Sequence, residues 1–181
     1  GMTVDSGGDL AIVSGTGATL DDIMATGDAD ITVDGDLLLG SVDSGGDVTI
    51  DLTGIMTDSN DTTLTDVTNV TAVGTLSILG GGSVVSLETA VSGLMLETAA
   101  TEIDNTGNLT IMDSTVTGLL DIVNTGTIAL ESIIASGQVV NLTAGGAITD
   151  INADAAGADT TVNVTAATLN IALESSSRPV D

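Results

Sequence analysis

Apolar residues return along this 181-residue chain in short alternating runs at a nearly fixed interval. The clearest stretch is 106–171. TGNLTI (106–111), TGTIAL (125–130), GGAITD (145–150) and AATLNI (166–171) put Leu109, Ile128, Ile148 and Leu169 at matching points of an almost even spacing. A second phrase lies between the copies: LLDI (119–122), VVNL (139–142) and TVNV (161–164). Its inward positions Leu120, Val140 and Val162 keep nearly the same spacing. Each run is short and alternates with period two, as a half-buried strand does. Strands that recur about every 20 residues predict a coiled solenoid. The fold class read from this is all-β, a parallel β-helix with coils of about 20 residues.

The first quarter keeps the same beat. DSGGDL (5–10) returns as DSGGDV (43–48), two turns of the coil further on. Between them, ATLDDI (18–23), ADITV (29–33) and GDLLL (35–39) read as strands edged by Gly and Asp, which suit tight turns. Within them, Ile31 and Val33 share one face while Thr32 and Asp34 share the other. Over 51–73 the rhythm loosens, and a polar cluster at 58–63 predicts a loop pushed out of the coil. GTLSIL (74–79), GSVVSL (82–87) and GLMLE (93–97) resume it. Residues 99–104 tolerate helix and read as a short turn. Residues 1–174 make one repeat array, and SSSRPVD (175–181) reads as a flexible tail or linker. Gly1-Met2 reads as the scar of a cleaved tag on an excised fragment, with any secretion signal upstream.

Stacking the second phrase puts Asp121, Asn141 and Asn163 in one outward column, with Val123, Thr143 and Thr165 in the next. Asn over Asn and Thr over Thr suit a ladder, whereas Asp over Asp needs a cation or a proton between. N-x-T triplets at Asn60, Asn69, Asn108, Asn141 and Asn163 read as ladder residues, since alternation generates the pattern by itself. The 29 threonines raise the prospect of an ice-binding face. The column Thr110, Ala129, Thr149, Asn170 interrupts such a face.

Composition narrows the core and the chemistry. With 42% hydrophobic residues and no Phe, Tyr or Trp, the interior must be built from small aliphatics, as a narrow solenoid requires. Asp and Glu number 26 against one basic residue, Arg178, for a formal charge of −25. That field repels nucleic acid and anionic membranes and attracts cations. No apolar run is long enough for a membrane span. The absence of Cys, His, Lys and Tyr removes disulfides, Ser-His-Asp and Cys-His nucleophiles, Schiff bases, histidine-bound zinc and the P-loop. The expectation is a non-catalytic protein with no required cofactor. A carbohydrate-active β-helix is the remote alternative, through a carboxylate pair.

The acidic clusters supply the cation-binding alternative. GDADITVDGD (27–36) holds Asp28, Asp30, Asp34 and Asp36, while the two DSGGD copies pair Asp5 with Asp9 and Asp43 with Asp47. Calcium takes six to eight oxygens from carboxylates and carbonyls on turns, so these eight are the candidate ligands. Their spacing fits neither an EF-hand loop nor the GGxGxD nonapeptide.

The phrases NLTI (108–111), TIALES (127–132), VVNLTAGGAITDI (139–151) and TVNVTAATLNI (161–171) resemble the repetitive passenger regions of filamentous-haemagglutinin-like adhesins and related large bacterial surface proteins. The likeness covers most of 74–174 and, more loosely, 5–54. It implies a right-handed coil, secreted and displayed at the bacterial surface, serving attachment through surface or glycan contacts. The shortage of basic residues departs from that family's mixed charge and points to cation-rich surroundings. Open strand edges at the two ends also predict end-to-end self-association.

Because Arg178 is followed by Pro179, trypsin has no ordinary cleavage point. The chain is expected to survive trypsin intact even in denaturant, checked by mass spectrometry of the unfolded protein.

Overall fold

The computed structural model describes residues 1–59, 67–152 and 162–174. These form strands and turns only, wound into a parallel β-solenoid. One face stacks β1 (Met2–Ser6), β3 (Ala18–Ala25), β5 (Leu37–Ser44), β7 (Ile55–Asp58) with β8 (Val70–Ala72), β10 (Ser83–Ala90), β12 (Thr101–Asn105), β15 (Leu120–Asn124), β17 (Ile133–Ala144) and β19 (Val164–Leu173). The other stacks β2 (Leu10–Ser14), β4 (Ala29–Val33), β6 (Val48–Leu52), β9 (Thr75–Leu79), β11 (Gly93–Thr98), β13 (Leu109–Ile111), β16 (Ile128–Leu130) and β18 (Ile148–Asp150). A short β14 (Ser114–Val116) bridges the end of β11 and the start of β17.

Pairing is parallel throughout, and register holds each inward residue above its equivalent. Leu10, Ala29 and Val48 stack in successive coils. The column Leu37, Met56, Val84, Thr101, Leu120, Val140 runs through the other face, every member buried. Burying one such Leu, Ile or Val side chain stabilises by roughly 1.5–3 kcal/mol. The expected alternation is present: Ile31 and Val33 are buried while Thr32 is exposed. Among the described residues no helix is long and apolar enough to cross a membrane.

Three expectations change. First, the last copy of the repeat sits on the other face. Leu169 stacks on Val140, Asn170 on Asn141 and Ile171 on Leu142, so none of them continues the Ile148 column. Thr165 lies beside Ile134, and Val162 is exposed outside the strand. The long β17 explains this: β19 lies along its whole length, with a register shift between Ala135 and Val139. Period-two phrases look alike on either face, so the wrong copy matches equally well.

Second, the excursion is narrower than 51–73. Asp51 and Leu52 stay in β6, and both β7 and β8 pair with β5, so one coil strand is cut in two. Residues 60–66 lie outside the described residues, as do most of the 58–63 cluster, Asn60 and the tail 175–181. Third, 99–104 contains no helix; the chain bends at 99–100 and continues as β12.

Asn69 closes the neck of the interruption. Its side-chain amide donates to Asp58 Oδ1 at 2.6 Å and to the Gly40 carbonyl at 2.9 Å, while its Oδ1 accepts from Glu88 N–H at 3.0 Å. Its backbone carbonyl accepts from Val42 at 2.7 Å and its N–H donates to Glu88 at 2.8 Å. One residue thus ties the layer below to the layer above. The side chain is fully buried and bonds to Asp58, Gly40 and Glu88 rather than to a stacked asparagine. Asn69→Ala strands several buried polar groups and is expected to cost about 1–3 kcal/mol, read as a lower urea midpoint at unchanged slope.

Candidate functional site

The acidic residues cluster where strands turn, and the DSGGD motif shows why. Ser44 Oγ donates to the Gly27 carbonyl at 2.8 Å and accepts from Gly46 N–H at 3.2 Å. It also lies 3.3 Å from the Asp47 carbonyl. Ser6 makes the matching turn two coils below, donating to the Asp9 carbonyl at 3.1 Å. The hydroxyl satisfies backbone groups that the tight turn leaves over.

The second Asp of the motif then reaches to the next coil. Asp9 Oδ1 accepts from Asp28 N–H at 3.1 Å, Asp28 Oδ1 from Asp47 N–H at 2.9 Å, and Asp47 Oδ1 from Thr75 N–H at 2.7 Å. Three carboxylates therefore climb one corner as a ladder. Each rung needs glycine in the coil above: a Cβ on Gly27, Gly46 or Gly74 would collide with the Oδ1 of Asp9, Asp28 or Asp47. Asp36 repeats the device at another corner, accepting from Ile55 N–H at 2.9 Å. Asp34 accepts from the Thr53 hydroxyl at 3.0 Å. The G-D pairs of the sequence are inter-coil fasteners.

The other candidates stand apart. Asp28 and Asp36 flank β4 at opposite ends, and Asp30 lies between Ala11 and Thr49 in the layers below and above. Asp5 and Asp43 share a column with Met24 between them, so they sit two layers, about 10 Å, apart. They border one shallow depression of about 320 Å³ with Met24 between. Among the described residues, no group of three or more acids comes close enough to hold a metal ion jointly.

Two features lay outside the sequence reading. Asn105 and Asn124 form a buried ladder: Asn105 Nδ2 donates to Asn124 Oδ1 at 2.9 Å, and Asn105 Oδ1 accepts from the Thr89 hydroxyl at 2.8 Å and Val91 N–H at 3.0 Å. Their signal was in plain view, since NTG occurs at 105–107 and again at 124–126. Acids also stack on neighbouring layers, Glu88 by Asp104 and Glu102 by Asp121. Glu88 and Asp104 border a second depression of about 320 Å³ beside Thr68 and Val123. The outward polar column reads Glu102, Asp121, Asn141, Asn170, with Asn170 Nδ2 donating to Asn141 Oδ1 at 2.8 Å. Asn163 instead donates to Asp150 Oδ1 at 2.8 Å and to the Leu130 carbonyl at 3.1 Å. Thr110, Ala129 and Thr149 do stack, with alanine breaking the threonine column.

The corner ladder makes a prediction about coupling. Asp28→Ala loses one rung and is expected to cost about 0.5–1.5 kcal/mol. Gly46→Ala alone should cost more, and less in the Asp28→Ala background, because the obstructing oxygen is then gone. A double-mutant cycle by urea denaturation should show a coupling of at least about 0.5 kcal/mol; additive effects would mean that the two residues act independently.

No family model, curated protein or solved structure matches the chain. What the strand register shows by itself is a repeat protein built as a parallel β-solenoid.

Proposed function

We propose that the chain is a non-catalytic rod segment of a secreted, surface-displayed repeat protein, an architectural and adhesive element rather than a reagent. The observation that carries this reading is the use made of the repeated polar motifs. Ser44, the second aspartate of each DSGGD copy, the G-D corners and the NTG asparagine Asn105 hold one coil to the next. Residues that a catalyst or receptor would keep free are here occupied with building. The resemblance of 74–174 to the passenger regions of filamentous-haemagglutinin-like adhesins supports the bacterial cell surface as its place. The composition supports it too, since none of His, Cys, Lys or Tyr is present to do chemistry.

A formal charge of −25 makes the folded rod repel itself, and dissolved ions screen that repulsion. The melting temperature is therefore expected to rise with ionic strength and to be the same in calcium and sodium salts at matched ionic strength. A rise of many degrees particular to millimolar calcium would make the protein a calcium-dependent solenoid instead. Incubation with a panel of acidic and neutral polysaccharides is expected to release no new reducing ends, and release would overturn the non-catalytic reading.

A further inference from the structure

N-x-T is the acceptor sequence for an N-linked sugar, and the chain carries it at five places, none with proline in the middle. The structure separates the four that lie in described residues. Asn69 is fully buried, and its Nδ2 is held by Asp58 and the Gly40 carbonyl. Asn163 Nδ2 donates to Asp150 Oδ1 and to the carbonyls of Leu130 and Glu131. Asn141 is packed in the polar column, donating to Asp121 Oδ2 at 3.3 Å and accepting from Asn170. A sugar on any of these nitrogens would have to displace a group that the coil is built on. Asn108 differs. It is exposed in the turn before β13, and the two ends of its carboxamide are used differently. Oδ1 accepts from Thr127 N–H at 3.1 Å and from the Thr127 hydroxyl at 3.0 Å, whereas Nδ2 donates to no described residue. The third member of the triplet is equally clear. Leu109 is buried, so Thr110 returns to the outer side, where Gly93 below and Ala129 above bring no polar side chain to its hydroxyl.

We propose that Asn108 is an acceptor for an N-linked sugar, delivered from a nucleotide-activated sugar by a glycosyltransferase. In the transfer Nδ2 attacks the anomeric carbon and forms the C–N bond. The bond from that carbon to the diphosphate oxygen breaks, the nucleoside diphosphate leaves with the electron pair, and one amide proton passes to a base of the transferase. Loss of that proton throws charge onto Oδ1, where Thr127 already supplies two donors. The product keeps Oδ1 and one N–H, so the fastening to Thr127 survives the modification. The oxygen of Asn108 builds the coil, and its nitrogen is left for chemistry. Such an acceptor needs only a folded, solvent-exposed turn, so it holds whether or not the rod stands at a cell surface.

The test is transfer to the purified, folded chain, with uridine diphosphate glucose and a soluble bacterial N-glucosyltransferase. Conditions are those that fully modify a synthetic peptide of residues 105–113. Every chain carries Thr62→Val, which removes the triplet at Asn60, a residue outside the described ones. Sites are mapped by mass spectrometry after cleavage at acidic residues. One hexose is expected, at Asn108, with occupancy several-fold above that of Asn69, Asn141 and Asn163. The modified chain should keep the urea midpoint of the unmodified one. Thr110→Val should abolish the transfer and also leave the midpoint unchanged. A folded chain that takes no sugar at Asn108 would overturn the proposal. So would equal occupancy at Asn141 or Asn163, or a modified chain whose midpoint falls.

Discussion

Everything in this molecule depends on the parallel backbone ladder between successive coils. That ladder fixes one spacing and one register, and every other feature is a way of keeping to it. Inward positions become columns of Leu, Ile and Val, because a given place in the coil meets the same neighbours in every layer. Aromatic rings have no place in such an interior, since a bulky residue in one layer would demand a gap in the next.

A coil that gains residues must shed them without shifting the ladder. The step from Val48 to Leu76 is nearly half as long again as the steps before it, from Leu10 to Ala29 and from Ala29 to Val48. The extra chain leaves after β7 and returns before β8, and buried Asn69 joins both lips of the opening to the coils on either side. The buried Asn105–Asn124 pair and the Asp9–Asp28–Asp47 corner answer the same need elsewhere. At each, a short polar side chain replaces a backbone partner that the turn would otherwise lack.

The surplus of acid is arranged around the same constraint. On the lower flat faces the layers dilute it, with Asp30 between Ala11 and Thr49, and Met24 between Asp5 and Asp43. At the Asp9 corner the carboxylates do follow one another, and there each is held by a backbone N–H from above. The sides of the rod are thus strongly anionic, while β19, the last strand among the described residues, carries no charge.

The architecture was legible in the sequence because a solenoid writes its geometry as a period. Leu109 with Ile128, Leu120 with Val140, and DSGGD with its copy two turns on all stack or align as the spacing predicts. What spacing could not decide was which face a strand joins. Leu169 matched Ile148 in phrase yet stacks on Val140, because alternating strands carry the same pattern on every face and only pairing with the long β17 chooses between them. Which acids come near one another follows the same rule. Asp28, Asp30, Asp34 and Asp36 are close in sequence, but Asp28 and Asp36 lie in turns at opposite ends of β4 while Asp30 sits on its outward face between Ala11 and Thr49, so they disperse. Asp9, Asp28 and Asp47, one coil apart in sequence, form the group that the fold assembles. The sequence by itself determined the coil, its length and its aliphatic interior, since these follow from local alternation and period. Only the tertiary structure decided which polar residues meet, because in a stacked coil nearness is set by register across a whole turn and not by adjacency along the chain.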